Sequence, residues 1–324
     1  MRLYGRSMEQ QSHPTRIAIV GCGNVGATYA YALLLNRLSS EIVLIDANRA
    51  KAEGEAMDLN HAMPFAHPTH IWAGDFADCA GAAITVLSAG AGQRPGETRL
   101  DMVVRNGEIW RQIIPQIVQH NPHGILLIAT NPVDVLTYAA LKLSGLAAQS
   151  VIGSGTILDT ARFRYLLSQH FRVDSRSVHA FIIGEHGDSE VPVWSLANIA
   201  GMKLEDFCRV QGVELSPATR QSIYEQTRDA AYHIIERKGA TYYGVAAGLI
   251  RITAAILRDQ NTVFSVSTFM RDYYGIGDVC LSVPAVLNRE GVDRVLRLEL
   301  NLEEAAGLCR SAEVLQGTIA KLKL

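Results

Sequence analysis

At 324 residues, 48% of them hydrophobic and 19% charged, the chain can bury a sizeable core and is too long for one ordinary compact unit, which points to two domains. A formal net charge of −2 gives no general attraction to nucleic acid or to an anionic membrane, so small molecules or other subunits are the expected partners. The five cysteines (Cys22, Cys79, Cys208, Cys280, Cys309) are too scattered for a disulfide framework or a metal site, and no apolar run approaches the roughly 20 residues of a bilayer span, so a reducing cytoplasm is expected.

Residues 1–14 are polar and mixed in charge and read as a flexible N-terminal extension. Residues 16–20, 41–45, 83–87 and 125–130 then read as buried strands separated by helix-length segments. Strands apolar nearly throughout, alternating with helices, predict a parallel sheet covered on both faces: a Rossmann-type doubly wound α/β domain over residues 15–150. After residue 150 the pattern changes. A strand over 178–183, helices over 216–235 and 244–259, strands over 264–270 and 279–285, and an amphipathic helix within 301–324 predict a mixed α+β substrate domain over 151–324.

The first strand runs straight into Gly21-Cys22-Gly23-Asn24-Val25-Gly26, and a helix over 27–35 follows. Gly21 suits a tight turn, Gly23 lets a pyrophosphate approach the backbone, and Gly26 allows close helix packing, while the free N–H groups of the helix start favour phosphate. A lone glycine pattern of this kind is weak evidence, because glycine-rich turns are common. Here the second strand ends at Asp46, about 20 residues on, where a carboxylate can bond ribose hydroxyls and would repel a 2′-phosphate. NAD is therefore expected rather than NADP.

Three further groups carry possible chemistry. His186 lies in Gly184-Glu185-His186-Gly187-Asp188 after a strand, Asp159 and Arg162 stand one helical turn apart, and the glycine-rich segment 89–99 carries Arg94 and Arg99 at the carboxyl edge of the sheet. Taken singly, these residues serve equally as a packing histidine, a helix ion pair and a solvated loop.

In combination they carry a resemblance. GCGNVG, Asp46, GQRPGETRLD, ATNPVD, LDTARFR, GEHGDSEVPVWS and KGATYYG occur in the order found in the lactate and malate dehydrogenases, and the chain closely resembles that family from Arg16 to its C-terminus. The resemblance implies an NAD-dependent oxidoreductase acting on a 2-hydroxy acid, with His186 as acid–base, Asp159 orienting it, Arg162 gripping the substrate carboxylate and Arg99 polarising the 2-oxo group. It also implies that Asn131 bonds near the substrate oxygen and the nicotinamide ribose, that Thr241 lines the pocket, and that Gly21, Gly23, Asn24, Val25, Gly26, Asp46, Ala89 and Gly90 hold the cofactor.

Gln93 stands where malate dehydrogenases carry an arginine for a second carboxylate, so pyruvate and lactate are expected, with oxaloacetate and malate the alternative should Arg94 turn inward. Larger 2-oxo acids stay open. Arg164 and His179 match an Arg and a His at a fructose 1,6-bisphosphate site of bacterial relatives, and the resemblance further implies a homotetramer.

Overall fold

The computed structural model describes residues 15–91 and 99–322, with residues 99–102 described by their backbone alone. Six strands form the parallel part of the sheet: β1 (Arg16–Val20), β2 (Glu41–Ile45), β3 (His70–Ala73), β4 (Ala82–Leu87), β5 (Ile125–Ile128) and β6 (Val151–Gly153), in the spatial order β3-β2-β1-β4-β5-β6. Four helices join or follow them: α1 (Asn24–Asn36), α2 (Arg49–Ala62), α3 (Arg99–His120) and α4 (Val133–Ser144).

Because side chains alternate along a strand, a strand apolar throughout needs cover on both faces. Ile17, Ile19, Ile42, Leu44, Ile84 and Val86 pack toward Tyr29 and Leu33 of α1. The alternate residues Ala18, Val20, Val43, Ile45 and Leu87 pack toward Trp110 and Ile114 of α3 and Leu136 of α4. Each such buried Ile, Leu or Val side chain contributes on the order of 1.5–3 kcal/mol. The strand order reverses between β1 and β4, and in open α/β sheets that reversal leaves a crevice at the carboxyl ends of the strands.

The second half begins with α5 (Ile157–Phe171), followed by the short strands β7 (Val178–His179), β8 (Ile182–Ile183), β9 (Val191–Pro192), β10 (Asn198–Ile199) and β11 (Met202–Lys203). Helices α6 (Leu204–Gln211), α7 (Pro217–Lys238) and α8 (Tyr243–Leu257), strands β12 (Thr262–Met270), β13 (Val279–Asn288) and β14 (Gly291–Val295), and helix α9 (Leu302–Ile319) complete it. The strands of this half do not form a separate large sheet. β12 meets β6 antiparallel at Ser267 and Gly153, and β12, β13 and β14 extend the parallel sheet to nine strands.

The sequence reading missed β3, β6 and β14 and the two-residue strands β9, β10 and β11. The strand expected over 178–183 is two pieces, because β7 pairs with β10 while β8 pairs with β9. Between them the Ala180 carbonyl turns away to accept Arg164 Nε at 2.9 Å. The sixth parallel strand starts at Val151, so the sheet runs past the division expected at residue 150. Among the described residues no helix is long and apolar enough to cross a membrane.

Candidate active site

Two adjoining features occupy the carboxyl edge of the sheet. The first is a cleft of about 630 Å³ at the β1/β4 reversal, lined by Gly21, Gly23, Asp46, Ala89 and Gly90 among others. Gly21 has φ +104°, and a Cβ there would lie 2.3 Å from the Ala89 nitrogen, so the crossing of the β1 and β4 turns requires glycine. A Cβ on Gly26 would meet the Gly21 carbonyl at 1.9 Å, whereas one on Gly23 would meet nothing within 4 Å. Gly21 and Gly26 are thus spent on packing, and Gly23 faces open space.

Asn24, Val25 and Gly26 form the first turn of α1, which has no side-chain cap and no acidic residue, so its N–H groups and positive dipole end suit a pyrophosphate. Asp46 accepts the N–H of Cys22 at 2.7 Å and of Asn48 at 2.8 Å. It does cap a turn, and each carboxylate oxygen still has a lone pair for a ribose hydroxyl. Beyond β4 the chain is fixed by its own carbonyls: that of Ala89 accepts Trp110 Nε1 at 3.2 Å and the Thr130 hydroxyl at 2.9 Å. The residues present therefore fit a dinucleotide.

The second feature is a cavity of about 300 Å³ whose wall includes Asn131, Asp159, Arg162, His186, Glu190 and Arg228. Asp159 lies in the first turn of α5, where the dipole favours a carboxylate, and is 2% exposed. Its Oδ1 accepts Arg162 Nη1 at 2.7 Å and its Oδ2 lies 2.5 Å from His186 Nδ1. An ionised carboxylate only accepts, so Nδ1 carries the proton and Nε2 is left for the cavity.

Burial opposes the Asp159 charge, but the His186 imidazole, by charge and hydrogen bond, and then Arg162 hold the carboxyl below its ordinary range. Burial likewise opposes a charged imidazole, yet the Asp159 carboxylate raises His186 to about 9. The pair is one unit of opposite charges, and Arg162 is its second cation.

The α5 start and the His186 turn are both docked on the sheet. The Thr156 hydroxyl donates to the Ile182 carbonyl at 2.6 Å, and its N–H to Ser282 Oγ at 3.1 Å. Gly184 and Ser282 exchange two backbone hydrogen bonds of 2.8 and 2.9 Å. The His186 N–H donates to Asp134 Oδ2 at 2.7 Å; Asp134 is 1% exposed, and burial raises its carboxyl to about 6 against the hydrogen bond from the His186 backbone and the His186 charge. Asp134, Ser282 and Glu190 went unread in the sequence. The Asp of the ATNPVD motif, at the head of an apolar helix, was the available signal for the first, and the other two had none.

The remaining expected residues fall as follows. Asn131 lies on the wall of the His186 cavity and not of the dinucleotide cleft. Thr241 is half-buried in the connection between α7 and α8 and lines neither, because the α7 wall is made earlier in the helix, by Arg228, Ala231, Tyr232 and Ile235. Gln93 and Arg94 lie outside the described residues, and Arg99 opens α3 with its side chain outside the description. Arg164 packs over the Phe181 ring at 5.2 Å and holds the carbonyl next to exposed His179.

Residues 15–153 match the family model for the lactate/malate dehydrogenase NAD binding domain, and residues 156–323 the model for the lactate/malate dehydrogenase alpha/beta C-terminal domain. An L-lactate dehydrogenase of Priestia megaterium is 54% identical over 94% of this chain and 95% of its own. That of Moorella thermoacetica is 53% identical over 96% and 98%. A crystal structure of a lactate dehydrogenase enzyme from a Medee basin deep-sea metagenome library superposes with a TM-score of 0.92 at 45% identity, covering 96% of this chain and 99% of that one. The chain belongs to the lactate/malate dehydrogenase family.

Proposed function

We propose that the chain is an NAD-dependent L-lactate dehydrogenase that interconverts pyruvate, NADH and a proton with L-lactate and NAD⁺. The observation that carries the reading is the His186–Asp159–Arg162 unit in a small cavity beside a cleft built for a dinucleotide.

When bound, the nicotinamide supplies the hydride to the substrate C2 or takes it back. Gly21, Gly23, Asn24, Val25, Gly26, Asp46, Ala89, Gly90 and Asn131 hold and orient the cofactor. His186 gives the proton on Nε2 to the carbonyl oxygen of pyruvate, and in the reverse direction takes the hydroxyl proton of lactate. Asp159 keeps Nδ1 protonated, so the imidazole presents one atom and one tautomer, and stabilises the charged form needed for reduction. Arg162 has one nitrogen on Asp159, which fixes its plane, and its remaining donors take the substrate carboxylate as a fork. Arg99 polarises the carbonyl as negative charge develops on its oxygen. Asn131 bonds the same oxygen, and Thr241 contributes from the α7–α8 connection.

Gln93, an uncharged amide, admits the pyruvate methyl and offers nothing to a second carboxylate. Arg164 and His179, adjacent through the Ala180 carbonyl, form the site for fructose 1,6-bisphosphate. A homotetramer is supported by Tyr31 and Leu35 of α1 and Tyr243 of α8, which are 47%, 52% and 67% exposed on two mutually packed helices. Five unbridged cysteines suit a cytoplasmic enzyme.

The test is NADH oxidation with pyruvate, oxaloacetate or phenylpyruvate, each with and without fructose 1,6-bisphosphate. A preference for pyruvate is expected. A preference for oxaloacetate would reassign the substrate, and an unshifted pyruvate saturation curve would remove the effector site.

A further inference from the structure

Glu190 has no part in the roles above, yet it lies in the wall of the same cavity. It stands just ahead of β9 and is 4% exposed. Its N–H donates to the Gly187 carbonyl at 3.1 Å and its carbonyl accepts the Tyr224 hydroxyl at 2.9 Å, which fixes its backbone. Its side chain borders the His186 cavity on one side and, on the other, a cavity of about 540 Å³ between α7 and α9. Its Oε1 is buried and has no hydrogen-bond partner among the described residues. Buried Glu304 is the contrast: its carboxylate accepts the N–H and hydroxyl of Ser195 and the N–H of Asn301.

A buried carboxylate lacking a donor or a dedicated cation is costly, and such a group is held as the neutral acid. The charged and titratable groups facing Glu190 come from α5 (Asp159, Arg162), from the turn ahead of β9 (His186, Asp188), from α7 (Arg220, Tyr224, Arg228) and, across the second cavity, from α9 (Glu303, Glu304, Arg310). The nearer cations are committed elsewhere. Arg162 and His186 go to Asp159, Arg228 to Asp229 at 2.7 Å and Arg220 to Glu205 at 2.6 Å, while Arg310 is solvent-exposed. Burial, and then the Asp159 charge, push the Glu190 carboxyl up to about 9 against His186, Arg162 and Arg228.

We propose that Glu190 is a positioning residue that sets the charge of the substrate cavity: as a neutral acid it lets a small carboxylate bind beside Arg162, and as a carboxylate it opposes one. With Glu190 neutral, the buried unit of Asp159⁻, Arg162⁺ and His186⁺ carries a single positive charge that the substrate anion cancels, Arg228 being offset by Asp229 and Asp188 being solvent-exposed. With Glu190 ionised, the same anion leaves an uncompensated negative charge in a desolvated site. This inference rests on the reading of the cavity as a 2-oxo acid site. Anion binding then requires two protons, one on His186 and one on Glu190.

The test follows the affinity of the NADH-loaded protein for oxamate, an unreduced isostere of pyruvate, together with the KM for pyruvate, from pH 7 to 10.5. Each required proton weakens binding about tenfold per pH unit once its group has titrated, so the wild type approaches roughly a hundredfold per unit at the alkaline end and Glu190→Gln stays near tenfold. Equal slopes of about tenfold in both proteins overturn the inference. So does a Gln variant weakened by the same factor at every pH, which is the signature of a purely structural role.

Calorimetry of oxamate binding near pH 9.5 in buffers of different ionisation enthalpy needs no variant. Uptake of more than one proton by the wild type is expected, and one or fewer overturns the inference. Failure to turn over pyruvate or bind oxamate at any pH, with NADH still bound, refutes the functional reading itself; equal slopes in an active enzyme refute only the role of Glu190.

Discussion

Asp159→Asn separates the electrostatic role of this residue from its shape. Asn fills the same space on α5 but brings no charge, and its single oxygen can accept from His186 Nδ1 or from Arg162 and not from both. The structure raises His186 from 6.5 to about 9, through the Asp159 charge and hydrogen bond and despite burial. That elevation corresponds to about 3 kcal/mol of preference for the imidazolium, most of which the substitution removes. At pH 7 the variant imidazole is mostly neutral, so pyruvate reduction, which needs the proton, falls about 100-fold or more in kcat/KM. Lactate oxidation, which needs the neutral ring, loses less. The sign of the pH effect is fixed: the midpoint above which reduction fails moves down by about two units. Stability shifts in the same window, because a raised histidine stabilises the fold fully below pH 6.5 and loses that contribution as pH rises through about 9. Steady-state rates in both directions from pH 5 to 10 are the assay. A variant with an unchanged midpoint and equal losses in both directions would refute the electrostatic argument and leave Asp159 a purely steric support.

Two glycines of one motif have opposite predicted phenotypes. Gly26→Ala drives a methyl into the Gly21 carbonyl and lowers the melting temperature, whereas Gly23→Ala meets only open space, keeps that temperature and weakens NADH binding tenfold or more by fluorescence titration. Asp134→Ala leaves the buried His186 N–H without its acceptor. It should cost about 2–4 kcal/mol in denaturant unfolding and lower kcat through a displaced imidazole, and a loss confined to stability would mean that the turn holds its shape without Asp134.

What was legible in the sequence was local. Gly21 to Gly26, the β1 and β2 patterns and Asp46 lie within one βαβ unit, where continuous apolar runs and a glycine turn carry the information without tertiary help. Asp159 and Arg162 were legible as a pair because a helix dictates their spacing. Asp134, Glu190 and Ser282 were not, since each acquires its role from a partner far away in the chain: the His186 N–H, the cavity wall and the start of α5. Thr241 shows the converse, a residue that motif resemblance places in the pocket and that the fold leaves in a connection beside it. The 178–183 strand was read as continuous because nothing local marks where Arg164 draws the Ala180 carbonyl aside.

The extension of the parallel sheet by β12 and β13 bears on how distances are set in this enzyme. The turn that presents His186 is clamped to Ser282 of β13, α5 is clamped to the same residue, and β12 joins the far side of β13 to β6. The glycine turn that would receive a pyrophosphate projects from β1 of that same ladder. The His186 turn and the glycine turn are therefore indexed to a single array of backbone hydrogen bonds, so a hinge between the two halves would have to tear strands apart. Any movement that accompanies substrate binding falls to elements outside the array, and the separation of the His186 turn from the glycine turn is set in strand spacings rather than by the closing of one lobe on another.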